Sequence, residues 1–168
     1  MEYDIADDSA FIQTQPRCGC QVTVRADRIQ TYNPPNGPAL SSGLGTVTGH
    51  PTIETVKQRQ AFGGRLFDKD VVRMKLAQAQ TQVDAARNYL YYVAWLDAQG
   101  ADCIKEVSGL KAWACEVANQ VMYECVQLHG GMGFMEESVI ERMYRDARVL
   151  TIGGGATEVM YSEVAKRL

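Results

Sequence analysis

Two glycine-centred stretches hold the residues of this 168-residue sequence whose types and spacing could do chemistry. Gln127-Leu128-His129-Gly130-Gly131-Met132-Gly133-Phe134 places glycines just past a long helical run. Missing side chains there permit positive φ and let a ligand approach the backbone. The same residues also read as a plain helix stop with a tight turn, and His129 as a structural histidine. Ile152-Gly153-Gly154-Gly155-Ala156-Thr157-Glu158 is a glycine run that opens a helix, where free N–H groups and the positive dipole end attract anions such as phosphate. Thr157 is placed to act as its N-cap. The run does not fit the dinucleotide fingerprint, since no strand–helix–strand unit precedes it, and it lacks the lysine of a phosphate loop. Glu141-Arg142-Met143-Tyr144-Arg145-Asp146-Ala147-Arg148 mixes charges at helical steps, which suits a solvated face or a salt-bridged helix end. Cys18-Gly19-Cys20 could be a metal or redox pair. Structural zinc needs two further ligands, however, and the only histidines are His50 and His129, so no metal site is expected.

The elements that must position these stretches divide the chain into unlike parts. Residues 1–52 hold all five prolines and many Gly, Ser, Thr and Asn, as in Pro34-Pro35-Asn36-Gly37-Pro38 and Ser41-Ser42-Gly43-Leu44-Gly45. Such punctuation breaks helices, and an irregular or disordered arm is expected. Alternation over Cys20–Arg25 supports one weak strand there, not a sheet that stands alone. From Ile53 onward Ala, Leu, Gln, Met, Lys, Arg and Glu dominate, residues that lose little entropy in a helix.

Val71, Val72, Met74, Leu76, Ala79, Val83, Ala86, Leu90, Val93 and Ala94 recur at helical steps, predicting one long amphipathic helix that ends near Gly100. A second is predicted from about Asp102 to Leu128, with Val107, Leu110, Ala114, Val117, Ala118, Val121, Met122 and Cys125 on one face and Gly130-Gly131 as its stop. A shorter helix follows around Ser138–Arg145, and a last one from about Thr157 to Leu168. The expected fold is all-α, a four-helix up-and-down bundle over 53–168 with an irregular N-terminal arm over 1–52, the two long helices antiparallel.

Composition excludes several function classes. Net charge is -3 with a pI near 5.4, and no Lys/Arg run could track a phosphate backbone, so no nucleic-acid partner is expected. No apolar stretch approaches the roughly 20 residues that cross a bilayer, and the first residues carry acids where a secretory signal carries bases. Five cysteines without dense spacing read as reduced thiols.

Taken in order, Gln58-Arg59-Gln60-Ala61-Phe62-Gly63-Gly64, the long helix, Gln127–Phe134, Glu141–Arg148 and the final glycine run resemble the acyl-CoA dehydrogenase family over residues 53–168. In that family this is the C-terminal four-helix domain, which also builds the tetramer core. The resemblance implies FAD held between subunits. It sets Arg59 and Phe62 against a neighbouring subunit's cofactor, Arg59 facing the pyrophosphate, a bidentate task that suits a guanidinium. Gln127, Leu128, His129, Gly130 and Gly131 would meet the adenosine and pyrophosphate region, and Ala156, Thr157 and Glu158 the cofactor beyond the glycines. Gly154 and Gly155 would lie beside the substrate. Two departures are Asp70, where the family commonly has glutamine and where a carboxylate would repel a pyrophosphate, and Ala156, which replaces the usual threonine.

The reaction so implied is oxidation of an acyl-CoA to the 2,3-enoyl-CoA, part of fatty acid metabolism, with an electron-transfer flavoprotein as acceptor and a homo-oligomer, dimer or tetramer, as the working form. A glutamate beside the α-carbon removes the proton in such enzymes. Many members carry it at the position of Gly154, which can take no proton. A branch including isovaleryl-CoA and long-chain enzymes has glycine or alanine there and draws the base from an earlier helix. The matching position in the arm falls near Asn33, and Asp4, Asp7, Asp8 and Asp27 read as solvated charges, so no base is assigned. The family's other two domains are absent, which predicts a truncated or frame-shifted chain incomplete for catalysis. The compartment implied is the bacterial cytoplasm or the mitochondrial matrix. The rival readings are a catalytically inactive helical module that oligomerises through its apolar faces, and a metal-binding handle at Cys18-Gly19-Cys20.

Overall fold

The computed structural model describes residues 11–14, 21–25, 28–32, 40–42 and 51–168, with side chains from Thr52 on. Four short strands, β1 (Phe11–Thr14), β2 (Gln21–Arg25), β3 (Arg28–Tyr32) and β4 (Leu40–Ser42), pair in sequence order as an antiparallel meander. Phe11 faces Arg25, Gln21 faces Tyr32 and Ile29 faces Ser42. The alternation at Cys20–Arg25 coincides with β2. Its neighbours were not legible because period-2 patterning reports one strand's two faces and not its partners. Cys18-Gly19-Cys20, Asn33, His50 and the acids Asp4, Asp7, Asp8 and Asp27 lie outside the described residues.

The helical domain begins with α1 (Pro51–Gln58), whose first residue needs no N–H partner and arrives with a preset φ. That proline reads as part of the arm in the sequence, yet it opens a helix. A two-residue hairpin follows, β5 (Gln60–Ala61) and β6 (Gly64–Arg65), turning through Phe62 at φ +56° and Gly63 at φ +79°. Positive φ at both central residues is the primed turn that matches strand twist. A 3-10 turn, Leu66–Asp68, leads into α2 (Asp70–Ala98). Then come α3 (Ile104–His129), a 3-10 turn over Gly130–Phe134, α4 (Val139–Val149) and α5 (Thr157–Ala165).

Helix α3 is central, with α2, α4 and α5 all packed on it. Its core face is Leu110, Ala114, Val117, Ala118, Val121, Met122 and Cys125, which meets Ala79, Val83, Ala86, Leu90 and Val93 of α2 and Ile140 and Ala147 of α4. Short links between packed helices make neighbours antiparallel. Two positions depart from the expected stripe: Val71 and Met74, in the first two turns of α2, are 61% and 71% exposed. Thr157 does not cap α5; Ala156 holds the cap position without a side-chain bond, and the Thr157 hydroxyl points to α3 instead. Among the described residues the free thiols Cys103, Cys115 and Cys125 are all buried, and no helix is long and apolar enough to cross a membrane.

Candidate functional site

The first centre forms where α1 meets the end of α3. Gly130 closes α3 at φ +63°, ψ -143°, a region that only glycine enters without strain. A Cβ on Gly130 would fall 2.9 Å from Arg59 Nη1, so the guanidinium lies directly over the bare backbone. Arg59 Nη1 donates to the His129 carbonyl at 3.0 Å, satisfying one of the orphan acceptors at the helix end and placing a cation at the negative pole of the dipole. Arg59 is exposed and keeps further N–H donors on its planar fork. Gln127 and Gly131 are exposed beside it, and Leu128, His129 and Gly130 are half-buried.

The His129 ring turns inward, its Nε2 3.2 Å from the hydroxyl of Thr52, a fully buried residue of α1. Burial, and secondarily the Arg59 charge, hold the imidazole below its ordinary pKa, favouring the neutral ring. Phe62 sits at the tip of the β5–β6 hairpin with 87% of its surface exposed, and its carbonyl accepts from Lys69 Nζ at 2.8 Å. Asp70 is paired with Arg73 one turn along α2, so its charge is locally answered.

The second centre is the loop between α4 and α5. Gly154 and Gly155 take φ +66° and +108°. Thr157 N–H donates to the Thr151 carbonyl at 3.0 Å and closes the loop, while Thr157 Oγ1 donates to Glu116 Oε1 on α3, also at 3.0 Å. Lys111, 4% exposed, donates its ammonium to the Gly155 carbonyl. Glu158 is exposed at the first turn of α5. The two centres do not meet along α3: Glu116 and His129 stand thirteen positions apart on it, which is about 20 Å of helix. Thr52, Lys111 and Glu116 escaped the sequence reading. Lys111 carried a signal, being a cation inside the apolar stripe of α3, where charge is rarely tolerated without a partner.

The sequence profile described as "Acyl-CoA dehydrogenase, C-terminal domain" matches residues 49–168. The chain belongs to the acyl-CoA dehydrogenase family. It is 40% identical over 123 residues to the mouse (Mus musculus) long-chain specific acyl-CoA dehydrogenase, mitochondrial, covering 70% of this chain and 27% of that one. It is 34% identical over 130 residues to the Caffeyl-CoA reductase-Etf complex subunit CarC of Acetobacterium woodii, covering 76% of this chain and 34% of that one. The crystal structure of acyl-CoA dehydrogenase from Geobacillus kaustophilus superposes with a TM-score of 0.68 at 36% identity, over 74% of this chain and 32% of that chain. The chain thus spans about a third or less of the length of these relatives. The all-α domain over 51–168 is the C-terminal domain fold of the family, as the motif order implied.

Proposed function

We propose that residues 51–168 supply the flavin-contacting and oligomer-forming helices of an enzyme that oxidises an acyl-CoA to the 2,3-enoyl-CoA with FAD. The observation that carries this reading is the guanidinium of Arg59 held over bare backbone at Gly130, with donors to spare for a diphosphate. FAD, when bound, would take the hydride that leaves the acyl β-carbon. Phe62, with its backbone in a strained left-handed conformation and its ring in solvent, is suited to pack against a group from a neighbouring copy. The rise of about 20 Å along α3 from one centre to the other suits a ligand that meets one centre in each of two subunits, with Gly154 and Gly155 beside the substrate and Ala156, Thr157 and Glu158 beside the cofactor.

Gly154 supplies no base, and among the described residues no acid is assigned that role. The acceptor class is an electron-transfer flavoprotein, in keeping with the Etf complex in the name of the Acetobacterium relative. The compartment follows the relatives, cytoplasm in a bacterium or mitochondrial matrix in a eukaryote.

A second reading, a helical oligomerisation module without activity, is favoured by the exposed aromatic face of α2, where Tyr91, Tyr92 and Trp95 are 47%, 49% and 58% exposed. Titration of the purified chain with FAD separates the two. The flavoprotein reading expects saturable binding that Arg59→Ala weakens at least about tenfold, the loss of one charge-assisted bond. A colourless protein that neither binds FAD nor reduces an acceptor with an acyl-CoA leaves the module.

A further inference from the structure

We propose that Lys111 is a positioning residue that sets which way the Gly155–Ala156 peptide faces; the proposal rests on the reading of the glycine run as a cofactor- and substrate-facing edge. Lys111 lies in the buried stripe of α3, between Leu110 and Ala114, and only 4% of it is exposed. Burying an ammonium is costly unless its donors are bonded. Its Nζ donates across forty-four positions to the Gly155 carbonyl.

The loop is tied elsewhere at its ends, by Thr157 N–H on the Thr151 carbonyl and Thr157 Oγ1 on Glu116. Between these ties Gly155 has φ +108°, and a Cβ there would meet Met160 Cε at 2.5 Å, so the position admits only glycine, with the Met160 side chain lying against its Cα. Glycine at this position can rotate its following peptide at little cost. The Lys111 bond removes that freedom by turning the carbonyl inward to α3. In a trans peptide the N–H points opposite to the C=O, so the same bond turns the Ala156 N–H to the outer side of the loop. Lys111 therefore presents a backbone donor to the ligand side without itself being in reach of a ligand.

Lys111→Met and Lys111→Arg in the full chain test this. Methionine conserves much of the volume and removes the charge, so packing survives while the bond is lost. Amide hydrogen exchange over 151–157 should quicken about tenfold or more in Lys111→Met, while α2 is unchanged, and Lys111→Arg should restore protection. FAD should bind Lys111→Met about tenfold more weakly than wild type, with the arginine variant near wild type. Unchanged loop exchange, or exchange that rises equally in every helix, would overturn the proposal. If methionine at this position prevents folding, Lys111→Gln is read by the same criteria. A wild-type chain that binds no FAD sinks the cofactor reading alone, and the exchange data still decide the role of Lys111.

Discussion

Gly130 and His129 show how two adjacent residues at a helix end take opposite tasks. Gly130 provides backbone conformation and room for Arg59, so Gly130→Ala should destabilise the domain by about 1–3 kcal/mol, seen as a lower Tm in thermal melts. An equal Tm would mean that the end of α3 relaxes without cost. His129 provides a neutral ring to Thr52, and its lowered pKa has a definite sign. The unfolded chain binds the proton more readily than the folded one, so this contribution is full above the unfolded value of roughly 6.5 and is lost as pH falls through the window beneath it. His129→Gln should flatten the fall in Tm between about pH 7 and about pH 5, and parallel curves would assign that slope to other groups.

At the scale of elements, α3 acts as the post on which the others hang, and its polar residues set where they sit. Asn119 Nδ2 donates to the Cys115 carbonyl at 2.8 Å and to the Ala147 carbonyl at 2.9 Å, so one side chain ties the last turn of α4 to α3. The carbonyls of a last helical turn have no partner within their own helix. Asn119→Ala leaves the tie unmade, and urea unfolding should report a loss of about 1–3 kcal/mol. An unchanged midpoint would show that water replaces the amide. Helix boundaries were largely legible, because a 3.6-residue apolar period and glycine stops are local signals: Asp70–Ala98 and Ile104–His129 fall close to the predicted spans. Helix α1 was not, because eight residues carry too little period to separate from a proline-rich arm.

The whole molecule leaves an aromatic strip on the outer side of α2, with Tyr92 and Trp95 stacked at 6.3 Å between centroids. On the oligomer-forming reading proposed above, this exposed apolar strip is the face that copies of the chain share. Trp95→Asp should lower the mass measured by light scattering towards that of the monomer while leaving helical circular dichroism intact. An undiminished mass would move the interface elsewhere. At the same scale, among the described residues, the two centres lie at different levels of α3.

The sequence alone determined the all-α class, the four main helices, their order and the family, because each rests on local period, helix stops and motif order. It also marked Arg59, the Gln127–Gly131 stretch and the glycine run as chemically notable, since glycine and arginine at helix ends carry a physical reason of their own. Only tertiary structure decided that Arg59 reaches the His129 carbonyl, that the His129 ring turns to Thr52, that the Thr157 hydroxyl serves Glu116 and not its own helix, and that Lys111 holds Gly155. These contacts join residues 41 to 77 positions apart, and no periodicity within one element can reveal which distant backbone a side chain will find once the helices have packed.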